Sequence, residues 1–199
     1  MVKLEKKQMK RAKPSHVNRN ALPAAFPTHT HSPLFWEQLG RTIATFGFLE
    51  EILGKAIFAF TGTRAYSSDE IKEALKAWAP KLEKALTDQL KTLADSYGKA
   101  VKENQNATVE NIDSLIQSIK DAADIRNILC HASWRPPDAE GRSLPFFVDR
   151  KRRVIETPMD IQYLKGVQDC IVDLACGVID SVTQMGWTFP GNDEPKAPY

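Results

Sequence analysis

Residues 124–131, with the sequence DIRNILCH, hold the side chains best suited to chemistry. Asp124, Asn127 and His131 are three and four residues apart, so a helix places them on one face as a polar strip. An imidazole, with an ordinary pKa of about 6.5, exchanges protons near neutral pH. The guanidinium of Arg126 can stabilise negative charge on a phosphate. This stretch is therefore the candidate catalytic site.

Two charged residues interrupt apolar stripes. The stripe of the helix that contains the candidate site leads onto Arg126, and an earlier stripe passes from Phe46 through Glu50 to Leu53. A charge near the core of a bundle requires a partner. We therefore expect Glu50 and Arg126 to form an ion pair inside the bundle. The alternative is that both side chains extend outward to solvent.

Four amphipathic regions must position these residues, at about 32–62, 67–97, 108–131 and 157–185. Apolar residues recur in each at spacings of three and four. Ser32 and Pro33 form a helix start, and Pro80 interrupts the second region. Apolar segments at 146–148 and 154–155 predict a hairpin around residues 149–153. The fold class is all-α, an antiparallel four-helix bundle with a short β-hairpin insertion between the last two helices.

The chain has 199 residues and a formal net charge of +2, which is unevenly placed. Residues 1–31 carry seven Lys or Arg and one acid, a balance of +6 that leaves −4 for the rest. We predict a flexible basic arm over 1–31, a bundle over 32–185 and a flexible tail over 186–199. The arm either attracts nucleic acid or anionic lipid, or is a solvated leader.

Several classes of site and protein are not indicated. The three cysteines have spacings that match no zinc or redox motif, which predicts reduced thiols and a cytoplasmic location. No apolar run approaches the ~20 residues of a membrane span, and a secretory signal is not indicated. The chain has no Gly-rich phosphate loop and no Glu-x-x-His repeats. We therefore expect no metal, no cofactor and no membrane partner.

The motif Arg126-Asn127-x-x-x-His131 resembles the Arg-polar-x-x-x-His motif of the HEPN superfamily of helical-bundle proteins. The motif lies near the end of a bundle helix in that family, as it does here. The order of elements is also similar, so the resemblance covers about residues 32–185. One subgroup has Tyr two positions after the His, where this chain has Ser133, so control by tyrosine modification is not implied.

The resemblance implies metal-independent cleavage of single-stranded RNA or tRNA to 2′,3′-cyclic phosphate ends. His131 would move the proton, Arg126 would stabilise the transition state, and Asn127 would orient the phosphate or His131. Asp124 would either hold the imidazole or repel the phosphate, and Glu50 would support Arg126. The resemblance also implies a toxin or phage-defence effector, with an antitoxin or regulatory protein as a partner.

The spacing of Arg126 and His131 constrains the site. Five residues place them about 140° apart on a regular helix, so they do not share a face. Three solutions are open: the last turn unwinds near Ser133, the Arg126 side chain curls around the helix, or two subunits share one site. Family members commonly dimerise so that two motifs meet, which predicts a C₂ homodimer with a composite site.

A second basic cluster lies at the predicted hairpin tip: Arg150, Lys151, Arg152 and Arg153. These residues beside Phe146 and Phe147 either bind an RNA backbone, with an aromatic available for base stacking, or form a solvated turn. Arg135 and Arg142 would extend the basic surface. Trp134 is interpreted as a cap on the core in preference to a stacking platform.

Two other functions stay open. One is a non-catalytic module of the same fold that binds RNA, a nucleotide or a partner protein. The other is an unrelated helical interaction protein in which Arg126 and His131 are structural. Toxicity on expression that is relieved by His131→Ala would separate the nuclease from both.

Overall fold

The computed structural model describes residues 16–64, 73, 76, 89–148 and 154–191. Within them lie four α-helices and two short strands: α1 (Pro33–Gly62), α2 (Leu90–Glu103), α3 (Ile112–His131), β1 (Ser133–Trp134), β2 (Pro145–Phe146) and α4 (Ile161–Thr183). The predicted fold class is confirmed: an antiparallel four-helix bundle with a short β-hairpin between the last two helices. Most of the second predicted region, and its interruption at Pro80, lies outside the described residues.

Backbone contacts divide the chain into two units, Met1–Thr30 and His31–Tyr199. The described part of the first unit contains two single 3₁₀ turns, Arg19–Ala21 and Thr28–Thr30, in which no residue is buried. The second unit contains the bundle and its core. His31, which the sequence assigned to the arm, belongs to this second unit and is buried.

Helix α1 begins and ends where the sequence predicts. The hydroxyl of Ser32 accepts a hydrogen bond from the backbone N–H of Phe35 at 3.3 Å, and Pro33 occupies the first turn. This satisfies one of the free N–H groups of the helix start. The helix continues for 30 residues to Gly62. It packs along α4 and against α2, while α2 packs against α3, so α1 is the central element of the bundle.

Helices α3 and α4 begin later than predicted. Helix α3 starts at Ile112, because Asn111 has a φ of 56°, and a left-handed residue cannot continue an α-helix. Helix α4 starts at Ile161, because the backbone of Met159 still pairs with Ser143 through two N–H···O bonds of 2.8 Å. Both predicted starts were therefore too early: Thr108 for α3, four residues before Ile112, and Thr157 as the cap of α4, three residues before the observed cap Asp160.

The hairpin pairs different residues from those predicted. Strands β1 and β2 are antiparallel, with Ser133 opposite Phe146. The predicted pairing is present as one bridge between Val148 and Val154, and residues 149–153 lie outside the described residues. The hairpin therefore starts two residues after His131, so the candidate site lies next to it.

Part of the segment predicted as a tail packs against the bundle. The ring of Trp187 contacts Phe60 edge-to-face at 5.5 Å between centroids. Phe189 is buried and belongs to the hydrophobic core. Residues 192–199 lie outside the described residues.

His31 predicts a pH dependence of stability. Its ring is buried and stacks on Phe35 at 4.5 Å, and this burial lowers the pKa of His31 below its ordinary value of 6.5. The unfolded chain therefore binds this proton at a higher pH than the folded chain does. The free energy of unfolding should fall as the pH decreases below about 6.5, until the pKa of the folded state is passed.

Urea unfolding of the wild type and of His31→Gln between about pH 7.5 and pH 5.5 checks this expectation. As the pH is lowered across this interval, the free energy of unfolding of the wild type should fall more steeply than that of His31→Gln. The comparison uses the slopes, so a constant difference in stability between the two proteins does not affect it. Equal slopes would show that His31 carries no such linkage.

Candidate functional site

The last turn of α3 is a regular helix through His131. The backbone N–H of Ala132 donates to the carbonyl of Ile128 at 2.9 Å, and Ala132 itself is extended. Unwinding therefore does not bring Arg126 and His131 together. The first of the three solutions, an unwinding of the last turn near Ser133, is therefore not observed within α3, which stays helical to His131.

The predicted polar strip is present on the outer surface of α3. Asp124, Asn127 and His131 are all exposed, and their spacing places them on one side of the helix. In the described part of the chain, the side chains of Asn127 and His131 make no hydrogen bond, so their donors and acceptors are open to a ligand.

Asp124 is engaged by a residue that the sequence did not indicate. Its carboxylate accepts a hydrogen bond from Lys91 Nζ at 2.6 Å, across the contact between α2 and α3. Both side chains are at least half exposed. The carboxylate is thus turned to Lys91, and a role in holding the imidazole remains a prediction. No local pattern marked Lys91, because it lies on an ordinary polar helix face.

The predicted ion pair between Glu50 and Arg126 is present. Glu50 Oε1 lies 3.2 Å from Arg126 Nη2, which joins the middle of α1 to the end of α3. The Glu50 side chain is 25% exposed and the Arg126 side chain is 37% exposed. The pair therefore lies at the edge of the bundle, whereas the sequence predicted a pair inside it. The arrangement holds the guanidinium on the side of α3 that faces α1, away from the His131 surface.

One donor of Arg126 is unused. Its Nε atom is buried and has no hydrogen-bond partner among the described residues. A buried donor without a partner is unfavourable by roughly 1–3 kcal/mol. Glu50 therefore pairs with the terminal Nη2 of the guanidinium and leaves Nε unsatisfied.

The Glu50–Arg126 pair can be tested by a double-mutant cycle with Glu50→Ala, Arg126→Ala and the double variant. Because both side chains are partly exposed, we expect a coupling free energy of about 0.5–1 kcal/mol. Urea unfolding at low and high salt measures it, and high salt should reduce it. A coupling near zero at low salt would show that the pair contributes nothing to folding.

The hairpin contributes one cation close to an aromatic ring. The guanidinium of Arg135 lies 4.7 Å from the ring centroid of the half-exposed Phe146. Arg142 is different, because it pairs with Asp138 at 2.9 Å and with Glu140 at 3.0 Å. Hydrogen bonds from the backbone N–H and the side chain of Arg142 lower the pKa of Asp138. Of the two predicted extensions of the basic surface, only Arg135 thus keeps a charge that no described acid compensates.

The basic run Arg150, Lys151, Arg152 and Arg153 lies outside the described residues. Trp134 is half-buried, and its ring contacts Phe35 edge-to-face at 5.1 Å between centroids. Trp134 therefore caps the core, as predicted.

Three further observations bear on the chemistry. The cysteines are free and exposed: Cys130, Cys170 and Cys176. Over the described ranges, no three His, Cys, Asp or Glu residues are grouped so that they could hold a metal ion. None of the described helices combines the length and the apolar character needed to cross a membrane.

Comparisons of the chain with known protein families, with curated proteins and with solved structures found no match. The chemistry of the site is therefore inferred from its residues alone. An exposed Asn and His on one helix face can bind a phosphate and transfer protons. Arg126 lies within the same two turns, but its guanidinium is directed to the opposite side.

Proposed function

We propose that this chain is a metal-independent endoribonuclease of the HEPN type that cleaves single-stranded RNA or tRNA. The observation that carries the proposal is the exposed Asn127–His131 face at the end of α3, with Arg126 held by Glu50 in the turn before it. This arrangement supplies a proton-transfer group and a cation within one short segment, on a rigid helix.

In the proposed reaction the ribose 2′-oxygen attacks the adjacent phosphorus as its proton is removed. The bond from phosphorus to the 5′-oxygen breaks, and the leaving oxygen takes a proton. The products are a 2′,3′-cyclic phosphate and a free 5′-hydroxyl. His131 transfers the proton, since imidazole can both accept and donate near neutral pH. Arg126 stabilises the added negative charge on the phosphorus centre.

Arg126 and His131 face apart in one chain, and two arrangements would let them act together. Either the guanidinium leaves Glu50 and swings toward the substrate, or a second copy of the motif completes the site in a C₂ homodimer. We favour the composite site, because it requires no break in the Glu50–Arg126 pair. The cytoplasm, where the exposed cysteines remain reduced, is the proposed location. A toxin or defence role, with an inhibitory protein partner, is part of the same proposal.

The test is incubation of the purified protein with labelled single-stranded RNA and with tRNA in the presence of EDTA. We expect cleavage that EDTA does not suppress and products that end in 2′,3′-cyclic phosphate. Cleavage that requires a divalent cation, or products with 3′-hydroxyl ends, would contradict the proposed chemistry.

A second function is a binding module without catalysis. The Glu50–Arg126 ion pair favours this second function, because Glu50 holds the Arg126 guanidinium on the side of α3 away from His131. In that position the guanidinium does not act together with the imidazole of the same chain. Such a module would bind RNA, a nucleotide or a protein through the exposed face and leave it intact. RNA binding without cleavage, in a preparation confirmed to be folded, would support this alternative.

A further inference from the structure

One side of α1 presents a row of residues spaced alternately by four and three, all exposed except the half-buried Lys55. We call this row the α1 seam: Glu37, Arg41, Ala44, Phe48, Glu51 and Lys55. Phe48 is 47% exposed, and the four charged side chains are between 36% and 64% exposed. Alternating spacings of four and three line up along one edge of a helix, as they do in helices that pair along their length.

Two glycines flank the seam, and no contact with the described residues requires a glycine at either position. Gly40 and Gly47 are both exposed in the interior of α1. A Cβ atom at either position would meet no heavy atom of the described residues within 4 Å. Glycine weakens a helix interior relative to alanine, so its presence favours a close approach by something outside the bundle.

The seam is complementary to itself when two copies run antiparallel. With residue 46 at the centre, Glu37 lies opposite Lys55, and Arg41 lies opposite Glu51. In the same alignment Phe48 lies opposite Ala44, so a large apolar side chain meets a small one. A two-fold axis repeats each contact, as an isologous interface requires.

The charges disfavour the parallel alternative. In a parallel pair with equal register, Glu37, Arg41 and Glu51 would each face their own counterpart. Like charges placed directly opposite each other are destabilising. Phe48 would meet Phe48 and Ala44 would meet Ala44, which crowds one layer and leaves a gap in the next.

We propose that the α1 seam is an interface through which two copies of this chain pair antiparallel. This goes beyond the proposed function, since it concerns a different surface. Glu51 in the seam follows Glu50, and successive helix residues point about 100° apart, so the seam is turned away from Arg126. Pairing here leaves the Asn127–His131 face open. Together with a composite site it would give two different two-fold contacts, which close into a tetramer where the two axes intersect at a right angle.

Charge reversal and mixing test the proposal. Arg41→Glu places an acid opposite Glu51 twice per pair, and Glu51→Arg places a second arginine opposite Arg41 twice per pair. Each variant alone should self-associate at least about tenfold more weakly than the wild type. In an equimolar mixture of the two variants, the two acids of one chain face the two arginines of the other. The repulsion is then relieved, and association should be restored as a mixed pair. Sedimentation velocity with one variant labelled measures this, in a reducing buffer because the cysteines are exposed.

Lys165→Glu and Asp173→Arg on α4 are the matched controls, because they make similar charge changes at other exposed positions. Both should associate as the wild type does. Circular dichroism verifies that every variant is folded. Among the described residues, the reversals disrupt the exposed Glu37–Arg41 and Glu51–Lys55 pairs within α1, which contribute little to folding. A monomeric wild type at tens of micromolar, or folded Arg41→Glu and Glu51→Arg proteins that associate normally, would overturn the proposal. A mixture that fails to associate would overturn the antiparallel alignment.

Discussion

Replacing His131 with Ala is expected to lower the metal-independent cleavage of RNA by about 10²–10⁴-fold, the usual loss when a proton-transfer group is removed. His131 is exposed at the end of α3, and its side chain makes no hydrogen bond in the described part of the chain. Its removal should therefore leave the bundle intact. Initial rates on labelled RNA in EDTA measure the loss, and thermal unfolding should show little change from the wild type.

Cys130→Ala is the matched control for this variant. Cys130 is the adjacent residue and is also exposed, but its side chain points about 100° away from His131 on the helix. Cleavage by Cys130→Ala should equal that of the wild type. If His131→Ala cleaves RNA at the wild-type rate, the activity belongs to a contaminant or to another site, and the proposed role of His131 is wrong.

Local signals were sufficient for the helices, though not for all of their ends. The apolar spacing and the pair Ser32–Pro33 predicted α1, because a helix start depends only on neighbours in sequence. The start of α4 has a local signal in Asp160, whose carboxylate accepts from the backbone N–H of Tyr163 at 2.7 Å. What excludes the earlier start at Thr157 is the pairing of Met159 with Ser143, a contact between segments that come together only in the folded chain.

The same distinction applies to the candidate site. The Glu50–Arg126 pair was predictable, because each charge interrupts an apolar line and an unpaired charge is unfavourable there. The Lys91–Asp124 pair was not, because both residues lie on polar surfaces where many acid–base pairs are equally acceptable. The direction of Arg126 relative to His131 followed from helix geometry once α3 was known to continue regularly to its last residue.

A second large effect is expected at Asn104, which joins the ends of two helices. Its side chain is 3% exposed, and Nδ2 donates to the carbonyl of Phe60 at 2.7 Å and to the hydroxyl of Thr63 at 3.0 Å. Its Oδ1 accepts from the backbone N–H of Asn106 at 3.0 Å. One amide thus satisfies a carbonyl at the end of α1, which has no partner within the helix, and holds the turn after α2.

Asn104→Asp should therefore destabilise the fold by about 2–4 kcal/mol at neutral pH. The carboxylate has the same shape as the amide but no hydrogen to donate, so its negative charge would face the Phe60 carbonyl oxygen. Asn104→Ala removes the same bonds without burying a charge, and we expect a smaller loss of about 1–3 kcal/mol. Urea unfolding followed by circular dichroism gives both values.

The pH dependence separates the buried charge from the lost hydrogen bonds. Burial beside an acceptor should raise the pKa of the introduced carboxyl above its unfolded value of about 3.9. Above the folded pKa the Asn104→Asp penalty is fully present, and it shrinks as the pH falls through that value, since the protonated acid can donate to Phe60. The Asn104→Ala penalty should not change in this way. Asn106→Asp makes the same change at an exposed position and serves as the control. If Asn104→Asp is as stable as the wild type at neutral pH, the proposed role of the Asn104 amide is wrong.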